Sequence, residues 1–309
     1  MIYTVTLNPA IDRELQVTEP EFHKIMHANS SEMNYGGKGI NVSRGLAAIG
    51  VKSIALGFVG GSTGEMLTQE MSNLNVLTDF VRISGETRTN FSVVDKNRTQ
   101  LIKVNEPGPI IHAQECHQLI TKIRKLAQPG DLWALCGSIP PSIPDSIYAD
   151  IIQEIQSLGG KALLDTSGPA LLHGCNPNLF LVKPNALEAS TLTESKVEST
   201  EDALNAASSI LQTGVKHVII TQGGKGALLS NQEGTWIAVA PSITKRNDIG
   251  AGDAVMTGII YGLSCNLSWP EILRWGVACG TAAASTEGTT IGSFTVAKQI
   301  LSKVKIDTC

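Results

Sequence analysis

Asp253 directly follows a Gly250-Ala251-Gly252 turn and precedes an apolar run, Val255, Met256, Ile259, Ile260 and Leu263, whose spacing predicts a helix. An acid in the first turn of a helix is stabilised by the helix dipole, typically by about 0.3–1 kcal/mol. That alone would not require the glycines. The successive N–H groups of such a turn can form a nest for an anion, and a carboxylate set beside that nest is placed to take a proton. In 35–45, YGGKGINVSRG, three glycines surround Lys38 and a helix begins at once. The free N–H groups of a helix start carry partial positive charge and Lys38 adds a full one, which makes a cradle for an anion or a polyhydroxyl compound. The pattern is neither G-x-G-x-x-G nor the G-x-x-x-x-G-K-[ST] phosphate loop. A glycine turn that merely lets strand and helix pack is the plainer alternative.

Four further groups have types and places suited to chemistry. Asp12 closes NPAID at the end of the first strand, where a carboxylate often grips sugar hydroxyls, although a turn Asp looks the same. Arg88 in ETRTN heads a strand, and a guanidinium binds phosphate with two parallel hydrogen bonds; on a wet strand it could equally be a solvated charge. Asn185 and Glu188 stand three apart after Pro184, facing one way if a helix follows. They could hold Mg²⁺ or its waters, since that ion prefers oxygen ligands and keeps part of its hydration, or they could simply start the helix. In 220–229, ITQGGKGALL, two strands flank a glycine turn that lets backbone approach a ligand, or makes only a tight hairpin.

These residues need a frame. From about residue 130 apolar strands (DLWALCGSI, KALLDTS, LFLVKPN, HVIITQG) alternate with helical patterns. One is PDSIYADIIQEIQSLGG, with Ile147, Ile151, Ile155 and Leu158 on one face and Gly159-Gly160 as its stop; the other is STEDALNAASSILQTG, with acids in its first turn. Such alternation predicts an α/β fold of three layers, a mainly parallel sheet flanked by helices, with ligands at the carboxyl ends of the strands. TVTLN and SIALGFVG add core strands around a helix at GINVSRGLAAIG. Residues 12–18 with 27–34, and TRTNFSVVD with RTQLIKVN, instead alternate polar and apolar. One-sided alternation leaves one face wet or against a partner. These pieces, about 12–34 and 87–105, are expected to form a small antiparallel β lid or dimer surface within a single domain spanning 1–309.

Composition narrows the classes. Of 309 residues 42% are hydrophobic and 17% charged, with net charge −4, which suits a globular enzyme and argues against nucleic acid as partner. No apolar stretch approaches the roughly 18 residues of a membrane span, and MIYTVTLNPAID alternates like a strand rather than reading as a signal peptide. Six scattered cysteines without a C-x-x-C pair predict reduced, buried thiols in a cytoplasmic protein. The six histidines share no ligand spacing that would suggest zinc.

Taken in order, Asp12, GGKGIN, TRTN, GSIPP, KPNxxE, TxGxxG and GAGD closely resemble the ribokinase-like (PfkB-type) carbohydrate kinases over nearly the whole chain. MIYTVTLNPAID, YGGKGINVSR, LGFVGG and TRTN are most similar to the branch acting on ketohexose phosphates, the 1-phosphofructokinases and tagatose-6-phosphate kinases. The resemblance implies a ribokinase-like fold with a β lid and transfer of the γ-phosphate of Mg²⁺-ATP; the one-sided alternation of the lid pieces, with the exposed edges of so small a sheet, predicts a homodimer through that lid. The implied acceptor is fructose 1-phosphate, with tagatose 6-phosphate or fructose 6-phosphate as alternatives. It assigns Asp253 as base and Gly250, Ala251 and Gly252 as anion hole. Asp12, Gly37, Lys38, Asn41 and Asn90 would hold the sugar; Arg88 with Lys38 would hold its phosphate, and Ser138 would line the same pocket. Lys183, Asn185, Glu188, Thr221, Gly223 and Gly226 would serve ATP, with Glu188 reaching the metal through water and 277–285 walling the adenine. Two departures stand out: Thr221 where many relatives carry Ser, and Asp248-Ile249 where a Thr-Val or Ser-Val pair is usual. A non-catalytic sugar-phosphate sensor and a nicotinamide oxidoreductase are the rival classes; the GAGD turn speaks against the first and the missing G-x-G-x-x-G against the second.

Overall fold

β-branched and leucine-rich runs fall on strands and the 3.6-residue patterns fall on helices throughout the computed structural model, which describes residues 1–97, 99–246, 250–286 and 293–309. Strands β1 (Ile2–Thr6), β2 (Ala10–Val17) and β3 (Ser30–Gly36) lead into helix α1 (Lys38–Ala48). Next come β4 (Ile54–Val59), α2 (Gly61–Asn73), the short strands β5 (Leu77–Thr78) and β6 (Val81–Arg82), β7 (Arg88–Asp95), β8 (Leu101–Val104) and α3 (Ala113–Leu126). Strand and helix then alternate through β9 (Leu132–Cys136), α4 (Ile147–Ser157), β10 (Lys161–Asp165), α5 (Gly168–Gly174), β11 (Leu181–Val182), α6 (Ala186–Thr193) and α7 (Thr200–Gln212). The chain closes with β12 (His217–Thr221), β13 (Gly226–Asn231), β14 (Gly234–Val239), α8 (Ala251–Ser264), α9 (Trp269–Ala284), α10 (Phe294–Leu301) and β15 (Lys305–Thr308).

The main sheet runs β15-β14-β13-β12-β11-β10-β9-β1-β4-β5, with β6 also on β4. It is parallel from β4 through β12 and antiparallel from β12 to β15. Alternate strand residues feed opposite cores. Trp133 and Leu135 join α3, α4 and α7 on one face, while Leu132, Ala134 and Cys136 join α1, α8, α9 and α10 on the other. Each fully buried Leu or Ile contributes about 1.5–3 kcal/mol, so both faces are firmly specified. Tight α8–α9 packing depends on Gly258, where a Cβ would lie 2.4 Å from the Trp275 carbonyl oxygen. Pro184, which has no N–H to offer a ladder, helps to confine the strand expected over LFLVKPN to Leu181–Val182.

A second sheet, β3-β2-β7-β8, forms the lid. Its outer pairs are antiparallel and its inner pair, β2 with β7, is parallel. The β7–β8 arm leaves the frame after Ser84 and returns at His112, and a single carboxylate fastens both points. Glu115 accepts from Ser84 N and His112 N, each at 2.7 Å. Among the described residues no helix is long and apolar enough to cross a membrane. All six cysteines are free; Cys136 and Cys279 are buried as expected, whereas Cys265 and Cys309 are exposed.

One buried group makes stability depend on pH. His217 lies against Phe180 and Trp269, with ring centroids 4.6 and 4.0 Å away. Burial first, then the nearby Lys161 and Lys216, lower its pKa from 6.5 to about 4. Folding therefore holds the neutral ring, and the stability this contributes is present above the unfolded value and lost as pH falls through about 4. His217→Phe should flatten the decline of the urea midpoint between pH 7 and 5. An unchanged slope in the variant would contradict this assignment.

Candidate active site

The carboxyl ends of the parallel strands deliver charged groups to one place. Asp165 ends β10 and is 1% exposed; its oxygens pair with Lys38 Nζ at 2.8 Å and Lys183 Nζ at 2.9 Å. Lys38 opens α1 and Lys183 follows β11, so one buried carboxylate spaces two ammonium groups from different elements. Burial opposes the charge of Asp165, but the two lysines win and hold its pKa below the usual value. Burial likewise opposes charge on Lys38, yet Asp165, then Glu188 and Asp253, raise its pKa above the ordinary ammonium value.

Asp253 is tuned the other way. It is buried in the first turn of α8, and Asn41 Nδ2 donates to its Oδ2 at 2.7 Å. Burial, then repulsion from Asp165, push its pKa up to about 6, against the pull of Asn41, Lys38 and Lys183. Gly250, with φ of +79°, turns the chain into α8. A Cβ on Gly252 would lie 3.8 Å from Lys183 Nζ, so the glycine turn passes beside that ammonium. Two neighbouring acids thus differ in kind: the lysines hold Asp165 in its charged form, while burial and the Asp165 charge push the Asp253 pKa up to about 6, a value that suits a general base.

The lid root gathers a second group. Asn90 Nδ2 donates to Asp12 Oδ1 at 2.8 Å. The half-buried Arg88 donates to the carbonyl oxygens of Glu106 at 2.8 Å and Asn8 at 3.0 Å, and reaches Ser138 Oγ at 3.5 Å. Burial lowers the Arg88 pKa while Asp12 and Glu106 favour its charge. Tyr148 OH and Thr166 Oγ1 donate to the Gly137 carbonyl at 3.0 and 2.8 Å, fixing the backbone just before Ser138. Gly37 caps α1 at φ +125°, where a Cβ would press within 2.7 Å of Thr6 Cγ2. No side chain could stand there.

Asn185 and Glu188 form the plainer alternative, a capping box. Asn185 Oδ1 accepts from Glu188 N and Glu188 Oε2 accepts from Asn185 N, both at 2.8 Å. Glu188 nevertheless lies near enough to Lys38 to favour its charge. Thr221 bridges to Asn185, and a groove of about 380 Å³ runs between Asn185, Leu187, Glu198, Thr221, Gly223 and Lys225. Gly226 begins the return strand at φ +111°. Of 277–285, Val277 through Ala283 are packed in the core, and Ala284 and Ser285 are half-buried. Asp248-Ile249 lie outside the described residues. Sequence reasoning missed Asp165, although KALLDTS carries the same signal as NPAID, an acid at the carboxyl end of a strand. It also passed over Glu106.

Residues 5–295 match the pfkB family carbohydrate kinase model. The chain is 36% identical over 306 residues to a 1-phosphofructokinase of Bacillus subtilis (strain 168), covering 99% of each. It is 32% identical over 307 residues to a D-tagatose-1-phosphate kinase of Bacillus licheniformis, again covering 99% of each. Phosphofructokinase-2 from Escherichia coli, solved in complex with substrates and products, superposes with a TM-score of 0.91 at 29% identity, covering 98% of each chain.

Proposed function

The chain belongs to the pfkB family of carbohydrate kinases, and from that premise we propose that it transfers the γ-phosphate of ATP to the free primary hydroxyl of a ketohexose phosphate, fructose 1-phosphate foremost. The carrying observation is Asp253, buried behind the Gly250-Ala251-Gly252 turn, oriented by Asn41 and tuned to about 6. It takes the hydroxyl proton as that oxygen attacks phosphorus. The N–H groups of the turn and the Lys183 and Lys38 ammonium groups face the charge that develops on the transferred group, and most of the rate comes from such positioning and neutralisation. Asp12 grips a sugar hydroxyl and Arg88, beside Ser138, grips the phosphate the sugar already carries.

Among the described residues no three acids, histidines or cysteines could together hold a metal ion. The oxygen donors of Asn185 and Glu188 suit Mg²⁺, which keeps much of its water and binds largely through substrate phosphates. The ion would arrive on ATP and be met through water by Glu188, supplying charge neutralisation. Asn185, Thr221, Gly223 and Gly226 border the nucleotide.

The test is an ADP-release assay over fructose 1-phosphate, tagatose 6-phosphate, fructose 6-phosphate and free fructose. Turnover on none would leave a sugar-phosphate sensor. Preference for either 6-phosphate would move the acceptor assignment. Arg88→Ala should lower kcat/KM for fructose 1-phosphate by about 30-fold or more, because truncating one partner of a buried charge pair costs roughly 2–5 kcal/mol. Free fructose has no phosphate to lose and should change little. Equal loss on both sugars would remove Arg88 from the phosphate site.

The lid is also proposed as a homodimer surface. Among the described residues the outer edges of β3 and β8 meet no further strand, and Ile25 (91% exposed), Phe22, Met33, Leu101 and Val104 are open to solvent. Exposed edges and apolar side chains of this kind seek cover. A strictly monomeric mass by light scattering at micromolar concentration would contradict it. Six free thiols and use of ATP support a cytoplasmic setting.

A further inference from the structure

We propose that Glu106 is a positioning residue that binds the hydroxyl-gripping Asp12 and the phosphate-gripping Arg88 into one unit; this rests on the function proposed above. The β7–β8 ladder ends at the pair Phe91–Val104. Two residues further on, where pairing has stopped, Glu106 closes on three consecutive residues of β7 with three different groups. Its carbonyl oxygen accepts from Arg88 NH1 at 2.8 Å. Its Oε2 accepts from Thr89 N at 2.8 Å. Its N–H donates to Asn90 Oδ1 at 3.2 Å.

Each contact is passed forward. Asn90, held by Glu106 through its oxygen, uses its Nδ2 to hold Asp12 Oδ1 at 2.8 Å. The other Asp12 oxygen lies against the bare face of Gly36, where a Cβ would stand 2.8 Å from it. Arg88, held on NH1 by Glu106, is held on NH2 by the Asn8 carbonyl. Asn8 in turn donates Nδ2 to the carbonyl oxygen of Pro107 at 3.0 Å, so the circuit closes on the residue after Glu106. Gly108 permits that approach: its φ is +107°, and a Cβ there would lie 2.3 Å from Asn8 Oδ1. The two ligand-gripping groups therefore share one support from behind. Only the Oε2–Thr89 contact is made by a side chain, and it keeps the carbonyl and N–H of Glu106 in register with Arg88 and Asn90.

Steady-state kinetics of Glu106→Ala and Glu106→Gln, with fructose 1-phosphate and with ATP varied in turn, test the proposal. A hydrogen bond of this charged kind is worth about a factor of ten. Glu106→Ala should raise the KM for fructose 1-phosphate roughly tenfold, with kcat and the KM for ATP within about twofold. Glu106→Gln, whose amide oxygen still accepts from Thr89, should return within about threefold of the parent. In an Arg88→Ala background Glu106→Ala should add clearly less than its tenfold effect in the parent, since the part acting through Arg88 is already gone and only the route through Asn90 to Asp12 remains. An unchanged KM in Glu106→Ala, beside a clear loss in Arg88→Ala, would overturn the role of Glu106 alone. The same holds if the melting temperature drops while KM stays put. An Arg88→Ala variant with full kcat/KM for fructose 1-phosphate would instead overturn the phosphate site, and this proposal with it.

Discussion

Asp253→Asn will lower kcat by about 10²–10⁴, the usual cost of removing a general base, and leave the binding of both substrates nearly intact. The swap is close to isosteric, and the amide oxygen can still accept from Asn41 Nδ2, so the α8 turn has no reason to rearrange. Parent and variant should also differ in pH profile. The Asp253 carboxylate works only when deprotonated, and burial with the Asp165 charge places its pKa at about 6. Activity of the parent as kcat/KM should therefore fall as pH drops through that value, and the variant should lose this acid limb. A variant keeping half its kcat would remove Asp253 as the base.

The next largest effect is expected at Asp165. Its side chain is 1% exposed and that of Lys183 4%. Asp165→Ala would leave the buried ammonium of Lys183 unpaired. Breaking one side of a buried pair costs about 3–5 kcal/mol. Lys38, at 37% side-chain exposure, adds little to that figure because solvent screens it. Urea unfolding at pH 7 reads the loss, and a change below about 1 kcal/mol would show that Lys183 finds another partner. Asp165→Asn separates charge from shape: with the repelling charge gone, the acid limb of the pH profile should shift below that of the parent. A limb that stays in place would mean that burial alone tunes Asp253.

The sheet and most helices were legible because their apolar periods are long and their stops are glycines and prolines, as at Gly159-Gly160 and Pro184. Helices α2 and α3 were harder. In α3 only Leu119 and Ile123 are apolar and fully buried, and the capping box at its start is made by a histidine and a glutamate rather than by the usual Ser or Thr. The candidate site was legible where a residue type is unusual for its place, as Lys38 among glycines and Asp253 behind the GAG turn. Asp165 was not, since one acid at a strand end looks like any turn acid until folding brings Lys38 from 127 positions away. Glu106 was harder still: two of its three contacts are made by its backbone, which carries no signature in residue type. The same limit explains Asn185 and Glu188, which do serve as a helix cap whatever else they do.

Both ends of the β7–β8 arm are fastened to Glu115. An arm that departs and returns at one point behaves, in the history of a fold, as a cassette. It can lengthen, shorten or be exchanged without re-threading the α/β frame, because the frame's own chain path is already closed at Ser84 and His112. Arg88, Asn90 and Glu106 lie inside the cassette, while Lys38, Asp165, Lys183 and Asp253 lie outside it. On the function proposed above, the Arg88 grip on the phosphate and its support are thus inherited on a separate piece of chain from Asp253 and its neighbours, and that grip can drift while they stand still.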